Sequence, residues 1–376
     1  MTRDGAKAMH KRITSFDVAQ RADVSQSTVS RVLSNDQRMT PETREKVLEA
    51  ARELGYQPNA MARSLITQRS QIIGLVTSDL SNPFFPHVLE VFTERLHAQG
   101  WMVLLFTTGR GESIDDLLPS VLAYQVDGLI IASAGLSSTI AETCLQRGVP
   151  VVLFNRYAPT SGASAVVCDN IAGGRAIADL LLDTGCSRPA YIAGREDSST
   201  NRDRERGFRE RLHERGASKI LREPGTYSYE AGFAAAKRLL EMRSAPDAIF
   251  CANDITALGA LDAARALKWR VPEDLAVVGF DDIPAASWGA YNLTTLRQPV
   301  SEMIDLSIQI LLERIENPKL EPSTHFLPGT LIERASVRAK RDSLTRELEP
   351  RELEPRELGS RELGSRELGS RELGPA

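Results

Sequence analysis

One stretch near the amino end constrains the fold of this chain more than any other, because it contains two short helix signals separated by a tight turn. Thr14 and Asp17 form a T-x-x-D pattern, in which a hydroxyl and a carboxylate satisfy free amides at the start of a helix, and this predicts a helix over residues 15–21. Ser25 is a second N-cap candidate, and the apolar spacing after it predicts a helix over residues 26–33. Helices this short need a shared apolar core to be stable.

The predicted second helix carries a polar face of small hydrogen-bonding side chains and one guanidinium. The residues on that face are Gln26, Ser27, Thr28, Ser30 and Arg31. Such side chains suit the base edges and phosphates of a nucleic acid. The alternative is a small helical hairpin whose polar face is only solvated.

Two further helix signals follow. Thr40 and Pro41 are an N-cap and a first-turn proline, and they open a third helix that ends at Gly55. Three helices can bury a small common core. Asn59 can then cap a helix over residues 59–65, which is too short to be stable alone. We expect that segment to need a partner in order to form.

Together these segments resemble the lactose repressor and galactose repressor family of transcription regulators. The resembling segments read DVAQRADVSQSTVSRVL, TPETREKVLEAARELGYQPNAMARSL, CANDITALGAL and VVGFDD. The resemblance implies that the second helix enters the major groove of DNA. It also implies that residues 59–65 form a hinge helix, from which Leu65 of each half of a dimer is wedged into a minor-groove base step. The candidate DNA-binding residues are Thr14, Gln26, Ser27, Thr28, Ser30, Arg31, Asn59, Ala62, Arg63 and Leu65.

Asp23 departs from the family pattern, because the turn between the first two helices usually has glycine at this position. Aspartate tolerates the left-handed backbone conformation better than most residues that have a side chain. We therefore expect an intact turn at a modest cost in stability.

The charge of the chain is unevenly distributed. Residues 1–66 carry 11 Lys and Arg against 8 Asp and Glu, a surplus of +3, although the whole chain of 376 residues has a net charge of −4. The basic end is therefore the DNA-binding end. Because the surplus is small, we expect affinity to depend on two DNA-binding domains acting together and on specific contacts.

The sequence also disfavours several classes of protein. No apolar run reaches membrane-spanning length, and the first residues lack the apolar segment of a signal peptide, so we expect a cytoplasmic protein with no membrane segment. The four cysteines and five histidines are dispersed, without C-x-x-C spacing or a recognisable catalytic arrangement. We therefore expect reduced thiols, no metal, no cofactor and no catalysis.

Beyond residue 70, short β-rich runs alternate with amphipathic helical segments. The predicted strands are 72–77, 102–107, 128–132, 151–154, 165–168, 190–193, 249–252 and 276–280, and the predicted helices are 88–98, 141–146, 171–183, 204–215, 229–242 and 255–267. This alternation predicts an α/β core of two doubly wound parallel-sheet lobes with a cleft between them. The resemblance implies the same core, similar to a periplasmic binding protein, with crossings between the lobes near Asp169, Gln298 and Leu327.

The chain is thus divided into five predicted parts. They are a basic arm (1–12), an all-α helix-turn-helix domain (13–58), a hinge helix and linker (59–70), a two-lobed effector-binding and dimerisation core (71–340) and a low-complexity tail (341–376). From residue 346 the tail repeats RELEP and then RELGS units with a period of five, which fits neither helix nor strand, so we expect it to be disordered. Residues 13–58 are called the headpiece below.

Polar residues at the ends of the predicted strands are candidates for a ligand site, because ligands of open α/β sheets bind beyond the carboxyl ends of the strands. Their carboxylates, amides, arginine and aromatic ring suit a carbohydrate or a similar polyol. With the family resemblance, the candidate effector-binding residues are Phe84, Phe85, Asn155, Thr200, Arg204, Tyr227, Asn253 and Asp281. The alternatives are that each Asn or Asp is a turn or helix cap, that the two phenylalanines belong to the core, and that Arg202 or Arg206 takes the role of Arg204.

These features together predict a DNA-binding transcriptional regulator. We expect a repressor that binds a pseudopalindromic operator as a homodimer or a tetramer, under the control of a sugar or sugar derivative bound between the lobes. The competing class is a stand-alone small-molecule binding protein with a similar core. The headpiece and the lack of a signal-peptide segment argue against that class.

Overall fold

A computed structural model describes residues 13–33, 36–56, 69–77, 80–108, 114–132, 139–159, 161–217 and 219–339. The predicted arm, most of the predicted hinge and the repeat tail lie outside these residues, and so do Asn59, Ala62, Arg63 and Leu65. Within the described residues, no helix is long and apolar enough to cross a membrane.

The headpiece contains three helices whose starts are fixed by nearby side chains. They are α1 (Ser15–Arg21), α2 (Gln26–Leu33) and α3 (Pro41–Glu53). At the start of α1, the amide of Thr14 donates to the Asp17 carboxylate at 2.8 Å, and the Thr14 hydroxyl accepts from the Asp17 amide. At the start of α2, the Ser25 hydroxyl accepts from the Thr28 amide at 3.2 Å. The bounds predicted for the first two helices are confirmed.

The turn between α1 and α2 places Asp23 at a φ of 51°, in the left-handed region, as its sequence position suggested. The three helices enclose a core of seven buried residues, whose most buried members are Val18, Val29, Val32 and Val47. A core of this size gives a domain of limited stability.

The remaining described residues form two six-stranded sheets, which define two lobes. The strands of lobe one are β1 (Ile72–Thr77), β2 (Met102–Thr107), β3 (Gly128–Ile131), β4 (Val151–Phe154), β5 (Ser164–Cys168) and β11 (Thr324–Leu327). The strands of lobe two are β6 (Pro189–Ala193), β7 (Leu221–Pro224), β8 (Ala248–Cys251), β9 (Ala276–Asp281), β10 (Thr294–Arg297) and β12 (Thr330–Ile332). The spatial order is β11-β5-β4-β3-β1-β2 in lobe one and β12-β10-β9-β8-β6-β7 in lobe two. Every described strand pair is parallel except β10 with β12.

Helices pack against both sheets. They are α4 (Phe84–Ala98), α5 (Leu118–Ala123), α6 (Thr139–Gln146) and α11 (Val300–Glu316) in lobe one, and α7 (Asn170–Asp183), α8 (Ser199–Glu214), α9 (Tyr229–Leu240) and α10 (Asp254–Ala266) in lobe two. Short 3₁₀ turns occupy Ile114–Leu117 and Pro284–Ser287. Strands β3, β4, β5 and β9 are buried along their whole length, as expected for parallel sheets covered by helices.

The chain passes between the lobes three times. It leaves lobe one after β5, returns between β10 and α11, and crosses again between β11 and β12. These crossings lie at Asp169, at Gln298 and directly after Leu327, as the family resemblance implied. Lobes joined by three short segments can change their relative angle through a few residues.

Two helices begin at least four residues earlier than the sequence predicted. The helix predicted from residue 88 begins at Phe84, and the helix predicted from residue 204 begins at Ser199. Asn82 explains the first difference, because its side-chain oxygen accepts a hydrogen bond from the Phe84 amide at 3.1 Å. Phe84, Phe85 and Thr200 therefore lie in first helical turns and not in loops. Two helices, α5 and the long α11, and four short strands, β7, β10, β11 and β12, were not predicted from the sequence.

Candidate functional site

The polar face of α2 is open to solvent, because Val29 and Val32 turn the other side of the helix into the headpiece core. Gln26, Ser27, Ser30 and Arg31 are exposed, and Thr28 is half-buried. Nε2 of Gln26 donates to the Ser15 hydroxyl at 2.9 Å, which joins the amino ends of α1 and α2. Thr14, one residue before α1, therefore lies close to the polar face of α2.

In lobe two, Arg204 occupies the middle of α8 and is buried, with 2% of its surface exposed. Its Nε donates to Oδ1 of Asn170 at 2.8 Å, and its Nη1 donates to the Ala252 carbonyl at 2.5 Å. Its Nη2 lies 3.4 Å from Oδ1 of Asp281, and its Cζ lies 3.7 Å from the ring centroid of Phe280. The guanidinium is therefore held by four residues of the lobe before any ligand arrives.

Asp281 ends β9 and accepts from two donors on one oxygen. Nε2 of Gln298 donates to its Oδ1 at 2.7 Å, and Arg204 approaches the same oxygen. Burial raises the pKa of the Asp281 carboxyl to about 6, and the charge of Arg204 and the hydrogen bond from Gln298 only partly offset this rise. Among the described residues no donor reaches Oδ2, which can therefore accept from other donors.

Asp254, which follows Asn253 after β8, lies beside this pair. Its Oδ1 accepts from the Thr295 hydroxyl at 2.5 Å, and its Oδ2 accepts from the amide of Ile283 at 2.9 Å. Burial, together with the charge of Asp281, raises the pKa of Asp254 to about 7. Asp254 thus fixes the turn that follows β9.

Three more predicted residues lie at the carboxyl ends of β6, β7 and β8. The hydroxyls of Thr200 and Tyr227 lie 2.9 Å apart, and the Tyr227 ring packs so closely on Gly194 that no side chain would fit there. Tyr227 is only 9% exposed, so one ring face and the hydroxyl already have protein contacts. Oδ1 of Asn253 caps α10 by accepting from the Thr256 amide at 3.2 Å, while its Nδ2 has no partner among the described residues.

Lobe one contributes apolar rings and unpaired oxygens. The rings of Phe84 and Phe85 meet edge to face at 5.4 Å, and both are buried. Phe84 lines a cavity of about 340 Å³ together with Asp281 and Gln298 of the opposite side. Both rings also belong to the hydrophobic core, as the alternative interpretation held, and Phe85 is not part of the cavity lining. Oδ1 of Asn155, after β4, is buried and has no partner among the described residues.

Several of these residues have a backbone conformation that is costly for a side chain. Asn155, Tyr227, Asp281 and Asp282 have φ angles of 58°, 61°, 119° and 56°. Left-handed residues other than glycine are uncommon, and they tend to occur where a site requires a particular side-chain direction. Three of the eight predicted effector residues therefore carry an independent mark of a functional site.

The sequence analysis missed further residues whose role depends on distant partners. Asn170 and Gln298 hold Arg204 and Asp281, and both stand at crossings that the sequence did locate. Arg156, directly after Asn155, is buried, and burial lowers its pKa to about 9 despite the nearby charge of Asp197. Proximity in sequence to a predicted crossing or strand end was the only available signal for these three.

Proteins of known name resemble this chain over nearly their full length. The ribose operon repressor of Halalkalibacterium halodurans is 34% identical over 328 residues, which span 87% of this chain and 98% of the relative. The HTH-type transcriptional regulator CelR of Thermobifida fusca is 35% identical over 336 residues, which span 87% and 98%. Among solved structures, the lac repressor dimer bound to operator and the anti-inducer ONPF matches with a TM-score of 0.80 at 29% identity, covering 88% of this chain and 100% of that one. The complex of CelR with cellobiose matches with a TM-score of 0.66 at 34% identity, covering 86% and 100%.

A helix-turn-helix headpiece followed by two such lobes defines a class, the bacterial transcription regulators whose core resembles a periplasmic binding protein. The family model for bacterial regulatory proteins of the lacI family matches residues 16–59, and that for a periplasmic binding protein-like domain matches residues 178–337. The chain belongs to the lacI family, and it is a regulator and not an enzyme.

Proposed function

We propose that this protein is a cytoplasmic repressor that binds a pseudopalindromic operator as a homodimer and responds to a small carbohydrate in the cleft between its lobes. Its relatives include a ribose operon repressor, a regulator solved with cellobiose and a lac repressor dimer on its operator. A stand-alone sugar-binding protein is the alternative. The exposed polar face of α2 disfavours it, because such a protein has no use for a helix-turn-helix.

The observation that most supports a ligand is a set of buried polar atoms at the carboxyl ends of the strands that have no partner among the described residues. Thr77 Oγ1 and Asn155 Oδ1 belong to lobe one, and Asn253 Nδ2 and Gln298 Oε1 belong to lobe two. Buried polar atoms are nearly always paired, so unpaired ones at the usual ligand position of an α/β sheet indicate a polar ligand. Hydroxyl groups both donate and accept, and they match this mixture of oxygens and an amide nitrogen.

The Arg204–Asp281 pair indicates that the part of the ligand beside it is uncharged. Arg204 already donates to Asn170 and Ala252, and Asp281 balances its charge. An anionic group placed beside Asp281 would meet that carboxylate and a guanidinium whose charge the carboxylate already balances. We therefore propose that Asp281 accepts from ligand hydroxyls through Oδ2 and that Arg204 orients it.

The same residues offer a path from ligand to DNA. Gln298 donates to Asp281 and lies at a crossing between the lobes, so a ligand that moves Asp281 also moves this crossing segment. At the other end of lobe one, two contacts hold the linker in place. Asp127 accepts a hydrogen bond from the Gln71 amide at 2.7 Å, and Arg69 forms an ion pair with Glu316 at 2.5 Å. A change in the angle between the lobes would then change the separation of the two linkers in a dimer, and with it the operator affinity.

We extend the assignment to residues and boundaries. The proposed DNA contacts are Thr14, Gln26, Ser27, Thr28, Ser30 and Arg31 of the headpiece, with Asn59, Ala62, Arg63 and Leu65 of the hinge. The proposed effector contacts are Phe84, Asn155, Thr200, Arg204, Tyr227, Asn253 and Asp281, with Phe85 behind them. The proposed parts remain residues 13–58 for DNA binding, 59–70 for the hinge and linker, and 71–340 for effector binding and dimerisation.

The test joins ligand screening to operator binding. An operator is first selected from random DNA by the full-length protein. Neutral sugars and sugar acids are then screened by thermal shift, since a specific ligand raises the melting temperature by mass action. We expect a neutral sugar to raise the melting temperature and to change operator affinity measured by fluorescence anisotropy.

Two variants separate the functions. Asp281→Asn should lose the sugar response and keep operator binding, and Arg31→Ala should do the reverse. Sugar binding without selection of any DNA sequence would favour the stand-alone binding protein, and selection of an operator with no response to any sugar would refute the carbohydrate effector.

A further inference from the structure

A second cavity lies in lobe one, at the opposite end of the sheet from the cleft. Its volume is about 430 Å³, and its walls come from the end of α6, the loops before β4 and β5, and the last turn of α11. The lining includes Glu142, Leu145, Pro150, Gly162 and Arg314. Because β4 and β5 run parallel, the loops that precede them meet at the amino edge of the sheet. The cavity is therefore separate from the candidate effector site.

Arg314 is the unusual residue of this cavity. It is 7% exposed, and Nη1 makes its one hydrogen bond in the described part of the chain, a long one of 3.3 Å to the Ser164 hydroxyl. Its Nε is buried without a partner among the described residues. Within those residues no carboxylate comes within 4.0 Å of the guanidinium. Burial lowers the pKa of Arg314, and the more distant charge of Glu321 offsets only part of that effect.

Arg204 provides a comparison within the same molecule. Both arginines are more than nine-tenths buried, but Arg204 has an amide oxygen, a backbone carbonyl and a carboxylate as acceptors. A buried charge without such compensation is costly, and proteins retain it mainly where a ligand or partner completes the pair. Arg314 lines a cavity large enough for a small metabolite, so the missing acceptor has room to bind there.

We propose that this cavity is a second ligand site, in which Arg314 binds the oxyanion of a small metabolite, either a carboxylate or a phosphate group. A planar guanidinium binds both groups through paired hydrogen bonds. Glu142 is half-buried in the same lining and repels a second negative charge. The ligand is therefore an anion of low charge that also carries a hydroxyl or amino donor for Glu142.

The position of the site also gives it a route to the DNA-binding end. Arg314 stands two residues before Glu316, on the same last turn of α11. Glu316 pairs with Arg69 of the linker at 2.5 Å. An anion bound at Arg314 would change the local charge and the order of this turn, so operator affinity should respond. This second step rests on the proposed function, whereas anion binding itself does not.

The test uses the full-length protein and two simple probes, inorganic phosphate and lactate, each against sodium chloride at equal ionic strength. We expect one probe to raise the melting temperature saturably and to give a binding isotherm by calorimetry. A response to phosphate alone assigns a phosphate ester as ligand, and a response to lactate alone assigns a hydroxy acid. Arg314→Met should weaken the binding at least about tenfold, because it removes a charge-assisted pair.

Three further variants make the result decisive. Arg175→Met removes a half-buried arginine that is ion-paired with Glu214, and it should leave the anion response unchanged. Glu142→Gln should bind the anion severalfold more tightly. This gain in affinity would not occur if Arg314 had only a structural role. It can be measured even if Arg314→Met does not fold. Asp281→Asn should lose the sugar response and keep the anion response, so the failure of one proposal is distinguishable from failure of the other. No saturable response to either probe, or an equal response in wild type and Arg314→Met, would overturn the second site.

Discussion

The headpiece and the cleft face of lobe two both rely on short polar side chains, but their contacts span very different distances along the chain. In the headpiece, the pairs Thr14–Asp17, Ser25–Thr28 and Thr40–Thr43 are each three residues apart. In lobe two, Arg204 reaches acceptors that are 34, 48 and 77 residues away. The headpiece is therefore determined by local contacts, whereas the contacts of Arg204 form only once lobe two has folded.

Exposure separates the two regions as well. The headpiece polar groups are mostly exposed and each contributes about 1 kcal/mol or less, because water competes for them. The Arg204–Asp281 network is buried, so loss of one member leaves the others without partners. Substitutions in the headpiece should therefore change DNA binding with little unfolding, whereas substitutions in the network should change both ligand binding and stability.

The largest effect should follow Arg204→Ala. Removing one member of a buried ion pair typically costs about 3–5 kcal/mol. Here it also leaves Asn170 and Asp281 without the hydrogen bonds that Arg204 donates. We expect the urea midpoint of the full chain to fall and sugar binding to be lost. Arg206→Ala is the matched control on the same helix, since Arg206 is an exposed arginine paired with Glu210 and should cost less than about 1 kcal/mol. Equal midpoints for the two variants would contradict the comparison.

This contrast explains which parts of the structure the sequence could predict. The bounds of α1 and α2 were predictable because caps and apolar spacing act within one turn. The strand-end positions of Asn253 and Asp281 were also predictable, since buried runs mark strands and their ends. Arg204 was predicted only as a ligand contact. Its burial shows that it also belongs to the core of the lobe.

What the sequence could not supply is the pairing between distant segments. Asp254, Asn170 and Gln298 are ordinary polar residues until the fold brings them to Thr295, Arg204 and Asp281. The missed strands have a similar origin. β7 and β11 alternate between half-buried and exposed residues, and their apolar content is too low to mark them. Only their neighbours in the sheet make them strands.

A second prediction concerns the exposed face of α2. Arg31→Ala should lower operator affinity by about 1–3 kcal/mol through the loss of a base or phosphate contact, while the urea midpoint stays the same. Arg52→Ala removes the same charge from the exposed side of α3 and serves as control. Anisotropy titrations at two salt concentrations measure both. If Arg52→Ala cost as much as Arg31→Ala, the headpiece would bind through general charge and not through the polar face of α2.

The third prediction uses the raised pKa of Asp281. Ligand hydroxyls need the ionised carboxylate as acceptor, so sugar affinity should fall as the pH drops below about 6, by up to about tenfold per pH unit. Stability should move the other way. Because the folded pKa lies above the ordinary value of 3.8, the native state binds the proton more tightly, and this contribution to stability grows as the pH falls from about 6 towards 4.

The pH window for this test is set by other carboxyls. Exposed ion pairs with arginine lower the pKa of Glu214 and Asp274 to about 2, and such groups remove stability only when the pH falls below their ordinary values. Calorimetry between pH 5 and 7 avoids that range, and Asp254, whose pKa burial and the charge of Asp281 raise to about 7, contributes a stability change of the same sign there. Asp281→Asn should bind sugar weakly and independently of pH, and a variant that kept the wild-type pH profile would show that another group titrates.

The smallest effect is expected at Asp23, and it tests whether the headpiece really is governed by local terms. Asp23 is exposed and left-handed at a φ of 51°, and glycine adopts that conformation without steric cost. We expect Asp23→Gly to stabilise the headpiece by about 0.5–1 kcal/mol and Asp23→Ala to destabilise it by a similar amount. Hydrogen exchange of the buried Val18 and Val29 amides in the full-length protein measures this local stability directly. Neither variant should change the sugar affinity of the lobes, because the strain relieved lies within one turn. A gain in protection for Asp23→Ala, or a change in sugar binding for either variant, would show that this turn is coupled to more than its own two helices.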